Sequence, residues 1–139
     1  MDFSREAMAA INDNRLYHAL GIEVLEAVGG KARAVLRPTP AACWPFPGQP
    51  HGGVLYTLMD TTMAWAVISL VERGKSSATV SMEVQYTQRA LGPEFICQAW
   101  TTQLTGRLGY TRADVLDQKS GLLATAQAAF RVIQDTSQI

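Results

Sequence analysis

Between Val54 and Val71 the chain is apolar at Val54, Leu55, Tyr56, Leu58, Met59, Met63, Ala64, Trp65, Ala66, Val67, Ile68, Leu70 and Val71. These positions cover every face of a 3.6-residue period, so the pattern predicts one helix over 51–71, buried on all sides. Pro50 and the Gly52-Gly53 pair mark its start and Gly74 lies just past its end. Upstream, Phe3, Ala7, Met8, Ala10, Ile11 and either Leu16 or Ala19 share one helical face, which predicts an amphipathic helix over 3–19. Ser4 or Asp2 can cap this helix, and Gly21 ends it. Residues 22–28 and 31–37 form a strand pair joined at Gly29-Gly30, a hairpin signal. The stretch 38–50 carries prolines at 38, 40, 45, 47 and 50 and is neither helix nor central strand.

Downstream, 77–89 alternates, with Val80, Met82, Val84 and Tyr86 set against Ser81, Glu83, Gln85 and Thr87, as a half-buried strand requires. Further strands follow at 95–104, 110–116 and 122–133, separated by glycine-bearing turns. Helix, hairpin, long apolar helix and antiparallel meander make an α+β order. A hydrophobic helix of this length needs a sheet curled over it.

At 139 residues the chain predicts a single domain over 1–139. It is 47% apolar and 17% charged with formal net charge zero, and it has no basic run. That balance argues against nucleic acid or an anionic membrane as a partner, and the low charge content suits burial between subunits. The longest nearly apolar run, 63–71, is too short to span a bilayer. The start of the chain carries no signal-like pattern, so a cytoplasmic location is expected. Cys43 and Cys97 have neither metal-ligand nor disulfide-framework spacing, and His18 and His51 are the chain's two histidines. No metal site is expected.

Candidate chemistry centres on Asp60, one carboxylate in an apolar helix with Thr57, Thr61 and Thr62 beside it. A buried carboxylate needs a hydrogen-bonding or charged partner, and no Lys or Arg lies within a helical turn. Asp60 is therefore either a satisfied core residue or a functional one. The glycine pair bears on the choice, because Gly52 and Gly53 leave bare N–H groups at the positive end of a helix, where a ligand oxygen can approach. An oxyanion donor and a carboxylate are two parts of an acyl-transfer site. Seven residues separate Gly53 from Asp60, roughly 10 Å along a helix. One carbonyl cannot reach both, so joint action requires two subunits sharing each site.

The pieces HGG at 51–53, LMDTTMAWA at 58–66, TVSMEVQYTQRALG at 79–92 and GRLGYTRADVLDQKSGLLATAQAAFRV at 106–132 resemble the hotdog-fold acyl-CoA thioesterases of the phenylacetate-degradation (PaaI) type. The resemblance implies a hotdog fold, an antiparallel curved sheet wrapped around a long central helix. It implies Asp60 as nucleophile or general base and the Gly53 N–H as the group polarising the thioester carbonyl. His51, Gly52 and Thr61 then lie beside the substrate. Thr79, Val80 and Ser81 on the strand, with Gly106 and Arg107 in the turn, fall where relatives hold the pantetheine and nucleotide of CoA. Arg89 is a further phosphate candidate. Relatives often carry Asn or Gln six residues before the histidine; here that residue is Pro45, unless Gln49 takes the role.

The expected activity is hydrolysis of a small, medium or aryl acyl-CoA to free acid and CoA, with no cofactor beyond the CoA thioester itself. The expected assembly is a homodimer with shared sites, built into a dimer of dimers. The alternatives are a non-catalytic acyl-CoA-binding hotdog module and, third, a hotdog dehydratase.

Overall fold

The computed structural model describes residues 3–135. Asp2, one of the two predicted caps, lies outside them; Ser4 fills that role, its side chain accepting from the Ala7 N–H at 3.2 Å. The predicted helix over 3–19 is two helices, α1 (Arg5–Asn12) and α2 (Arg15–Leu20). The break has a local cause. Asn14 caps α2 by accepting from the Tyr17 N–H at 2.8 Å, and Asn12 turns its side chain onto the backbone of Val24 at 2.7 and 2.9 Å. The two side-chain amides also donate to α1 carbonyls, Asn12 to Met8 O at 3.1 Å and Asn14 to Ile11 O at 3.0 Å, so both residues tie the end of α1 while turning the chain away. Gly21 ends α2 at φ 89°, where a Cβ would stand 2.0 Å from the Arg37 carbonyl oxygen.

The hairpin follows as expected, β1 (Ile22–Val28) and β2 (Lys31–Leu36), turned by Gly29 and Gly30 at φ 59° and 84°. Positive φ at both central residues is the geometry that matches strand twist. The proline-rich stretch holds a 3-10 turn at Pro40–Ala42 and folds back so that Cys43 bridges Pro50. The carbonyl of Ala42 then accepts from the His51 N–H at 2.9 Å, which delivers the chain to the start of α3 (Gly52–Ile68).

Strands β3 (Lys75–Tyr86), β4 (Phe95–Thr105), β5 (Leu108–Leu116) and β6 (Leu122–Gln134) complete one antiparallel sheet of order β1-β2-β4-β5-β6-β3. Helix α3 touches all six strands, so the sheet wraps it. Leu58, Met59, Met63 and Val67 meet Leu36, Phe95, Val115 and Phe130 in the core. The expectation that α3 is buried all round is corrected. Val54, Leu55, Leu58, Met59, Thr62, Met63, Ala66, Val67 and Ile68 are buried, whereas Thr57, Asp60, Thr61, Ala64 and Trp65 are half-buried and Tyr56 is exposed. A sheet covers one side of a helix, and within one chain the other side of α3 stays open. The helix also stops at Ile68 instead of 71. The Ser69 hydroxyl donates to Ala66 O and accepts from the Gly30 N–H, while Leu70 and Val71 donate to carbonyls three residues back.

Candidate active site

Two clusters form on α3, one at its middle and one at its mouth. At the middle, Asp60 is half-buried, with Oδ1 accepting from the Thr79 hydroxyl at 2.6 Å. Thr79 reaches inward because β3 has a bulge between Thr79 and Ser81, opposite Phe130 and Ala129. Thr79 pairs with the fully buried Phe130 and shares its face, while Val80 is left 60% exposed. Thr61 lies against the Tyr17 hydroxyl, which accepts from Trp65 Nε1 at 2.9 Å. Burial pushes the Tyr17 phenol above its usual range; the Asp60 carboxylate adds to this, while the bonds from Trp65 and Thr61 oppose it.

At the mouth, His51 is the N-cap, and its Nδ1 accepts from the Gly53 N–H at 2.8 Å. An accepting Nδ1 puts the proton of the neutral ring on Nε2, a donor on the ring's other side. The Gly52 carbonyl accepts from the Tyr86 hydroxyl at 2.7 Å. Trp44 packs near the imidazole with centroids 6.0 Å apart, and Ala41, Cys43, Trp44, His51, Gly53 and Val54 line an open pocket of about 530 Å³.

The other predicted residues lie elsewhere. Arg89 stacks over Phe46 at 5.3 Å and donates to Gln49 Oε1 at 2.9 Å, which pins the proline-rich loop to the far end of β3. Gln49 is thus engaged with Arg89, and Pro45 sits in the same exposed loop. Ser81 pairs with Ala129 on the outer face of the sheet, where it lines an open groove of about 540 Å³ with Glu83, Tyr110 and Arg112. Gly106, at φ 53°, and Arg107 form the exposed β4–β5 turn, with open space above Gly106. Within one chain, then, Asp60, Thr61 and Thr79 come together, as do His51, Gly52 and Gly53. Val80, Ser81, Gly106, Arg107 and Arg89 join neither cluster. Tyr17 and Tyr86 take part without having been singled out as site residues. The alternation of β3 put Tyr86 on the inner face, but nothing in the sequence marks which carbonyl it meets.

One helix thus carries both clusters, a half-buried carboxylate bonded to a hydroxyl at its middle and a glycine N–H bonded to an imidazole at its start. The family model of the thioesterase superfamily matches residues 48–124, more than half of the chain, and spans both clusters. The chain belongs to the thioesterase superfamily. A Halobacterium salinarum protein bearing an esterase name is 28% identical to this thioesterase over 135 residues, covering 90% of this chain and 89% of that protein. Among solved structures, a Haemophilus influenzae thioesterase superposes with TM-score 0.88 at 20% identity, covering 99% of this chain and 96% of its own. The Escherichia coli PaaI protein from the phenylacetic acid degradation operon gives TM-score 0.79 at 20% identity, with 91% and 90% covered. A Streptococcus pneumoniae thioesterase protein solved with coenzyme A gives 0.72 at 18%, with 81% and 89% covered. The fold of this thioesterase is the PaaI-type hotdog, and its chemistry is thioester hydrolysis. Among the described residues, no helix is long and apolar enough to cross a membrane.

Proposed function

We propose that the enzyme hydrolyses a small, medium or aryl acyl-CoA, with Asp60 as nucleophile or general base and the Gly53 N–H polarising the thioester carbonyl. The observation that carries this is the Thr79–Asp60 hydrogen bond of 2.6 Å. It commits one carboxylate oxygen and so holds a half-buried carboxylate in one orientation. In the general-base route a water oxygen attacks the carbonyl carbon while Asp60 takes its proton. The C–S bond then breaks, and the proton passes to the CoA thiolate. In the nucleophilic route the carboxylate attacks the carbonyl carbon and the C–S bond breaks, expelling the CoA thiolate; water then hydrolyses the anhydride to the free acid, restoring the Asp60 carboxylate and supplying the proton that the thiolate takes up. The carbonyl oxygen takes the Gly53 N–H from His51 Nδ1 or shares it, with the imidazole alongside.

Asp60 and Gly53 of one chain are too far apart to serve one carbonyl, which supports a homodimer with shared sites, paired again as a dimer of dimers. Two features suit a second copy: the open side of α3, and the adjoining β3, an outermost strand with Val80 exposed. Thr61 lines the acyl side. Thr79, Val80 and Ser81 lead CoA along β3, and Gly106 with Arg107 offers an exposed cation to its phosphates, with Arg89 a second candidate.

The test is thiol release from butanoyl-, hexanoyl-, palmitoyl- and benzoyl-CoA, with wild type and Asp60→Asn side by side. The mutant is expected to fold with an unchanged melting temperature and to lose about two to four orders of magnitude in kcat. A mutant turning over like wild type sinks the assignment.

A further inference from the structure

The peptide unit between Gly52 and Gly53 is gripped at both ends. Its carbonyl oxygen accepts from the Tyr86 hydroxyl at 2.7 Å, and its N–H donates to His51 Nδ1 at 2.8 Å. Tyr86 is the last residue of β3 and pairs with Ala124. Just beyond it, the N–H groups of Thr87 and Gln88 both donate to the Leu123 carbonyl, so the phenol extends from a fixed strand end. Its ring lies within van der Waals reach of the space above Gly52 Cα, 3.5 Å from where a Cβ would stand. Burial, with Tyr56 nearby, pushes the phenol above its usual range, so at neutral pH it is an O–H donor. A donor on an amide oxygen draws electron density through the amide and makes its N–H a stronger donor.

We propose that Tyr86 is a positioning residue for the carbonyl site, its hydroxyl fixing and polarising the 52–53 peptide so that the Gly53 N–H is aimed and strengthened for the thioester oxygen. This rests on Gly53 being the carbonyl's donor. Tyr86 touches no reacting atom and acts through the peptide it holds. It also ties the outermost strand to the mouth of the helix, so the two move as one piece.

The chain itself supplies the probe. Of its 11 glycines, 29–30 and 52–53 are the two adjacent pairs. Labelling glycine with a 13C carbonyl and 15N therefore gives two carbonyl-coupled amide signals, Gly30 and Gly53. The Gly30 N–H donates to Ser69 Oγ at the other end of α3 and serves as the internal reference. In Tyr86→Phe the Gly53 amide proton is expected to move upfield while Gly30 stays. On the fastest acyl-CoA of the panel above, kcat is expected to fall about three- to tenfold with KM held within about twofold. A Gly53 signal that does not move overturns the proposal whatever the rate does. A Gly53 signal that moves while kcat holds overturns the role of Tyr86 in turnover and leaves the hydrolytic site itself to the Asp60→Asn comparison above. The signal tells the two failures apart.

Discussion

Asp60 is half-buried and has one oxygen committed to Thr79. Thr79 is exposed, so its bond to the carboxylate is open to exchange with water and adds little to stability. Here its larger effect is on the direction of the carboxylate. Thr79→Ala should lower kcat about tenfold while leaving the melting temperature in place, and Thr79→Ser should restore most of the loss, as steady-state thiol release will record. At this scale the sequence was legible in part. A lone carboxylate in an apolar helix, seven residues after a glycine pair, is conspicuous. Its partner was hidden, because strict alternation back from Tyr86 through Met82 puts Val80 inward and Thr79 outward. The bulge reverses that order. Tyr86 was hidden for a different reason: which carbonyl a phenol meets is decided by where a strand ends relative to a helix.

The elements were mostly legible, since long periodic runs dictate their own type. The misses fell where polar side chains overrule periodicity. Asn12 and Asn14 look like ordinary helix-surface residues, yet together they end one helix and start another. Asn12 also finishes β1, an outermost strand that has no neighbouring strand at Val24 on its outer side. Its amide donates to Val24 O and its oxygen accepts from Val24 N, beside the irregularity between Val24 and Glu26. Asn12→Ala removes both bonds and is expected to cost about 1–3 kcal/mol in urea unfolding, with the m-value unchanged. Asn12→Asp keeps the acceptor but loses the donor and should fall between the two. The length of α3 was overestimated because Leu70 and Val71 are apolar enough to continue it, while the Ser69 hydroxyl draws the chain toward the hairpin instead.

For the whole molecule, order and composition were enough to predict one sheet around one helix. They could not reveal which side of the helix stays open, because apolar residues on that side look the same whether a sheet or a second subunit covers them. The core has its own signature in pH. Cys97 is fully buried on β4, and that burial pushes its thiol up to about 12, with Thr62 opposing and Asp114 adding. In the unfolded chain the same thiol ionises near 8.5. Below that pH both states hold the proton, and stability is unaffected. Between about 8.5 and 12 the unfolded state releases a proton that the folded state keeps, so stability falls as pH rises, by up to about 1.4 kcal/mol per unit. Cys97→Ala should flatten the decline of unfolding free energy between pH 8 and 10.5 relative to wild type. An identical slope in both proteins would show that the thiol is already ionised in the folded state.

The bulge on β3 also changes how this position should be addressed in any related chain. Thr79 faces Asp60 because it sits opposite Phe130, and Val80 is a spare link that the strand carries without assigning it a partner. Counting residues from Asp60, or from the Met82–Tyr86 block, is therefore an unsafe coordinate: a chain one link shorter there would keep the hydroxyl in place while its number changed. The invariant address is the rung of the ladder, and the hydroxyl that orients the carboxylate is to be sought across from the buried aromatic of the last strand.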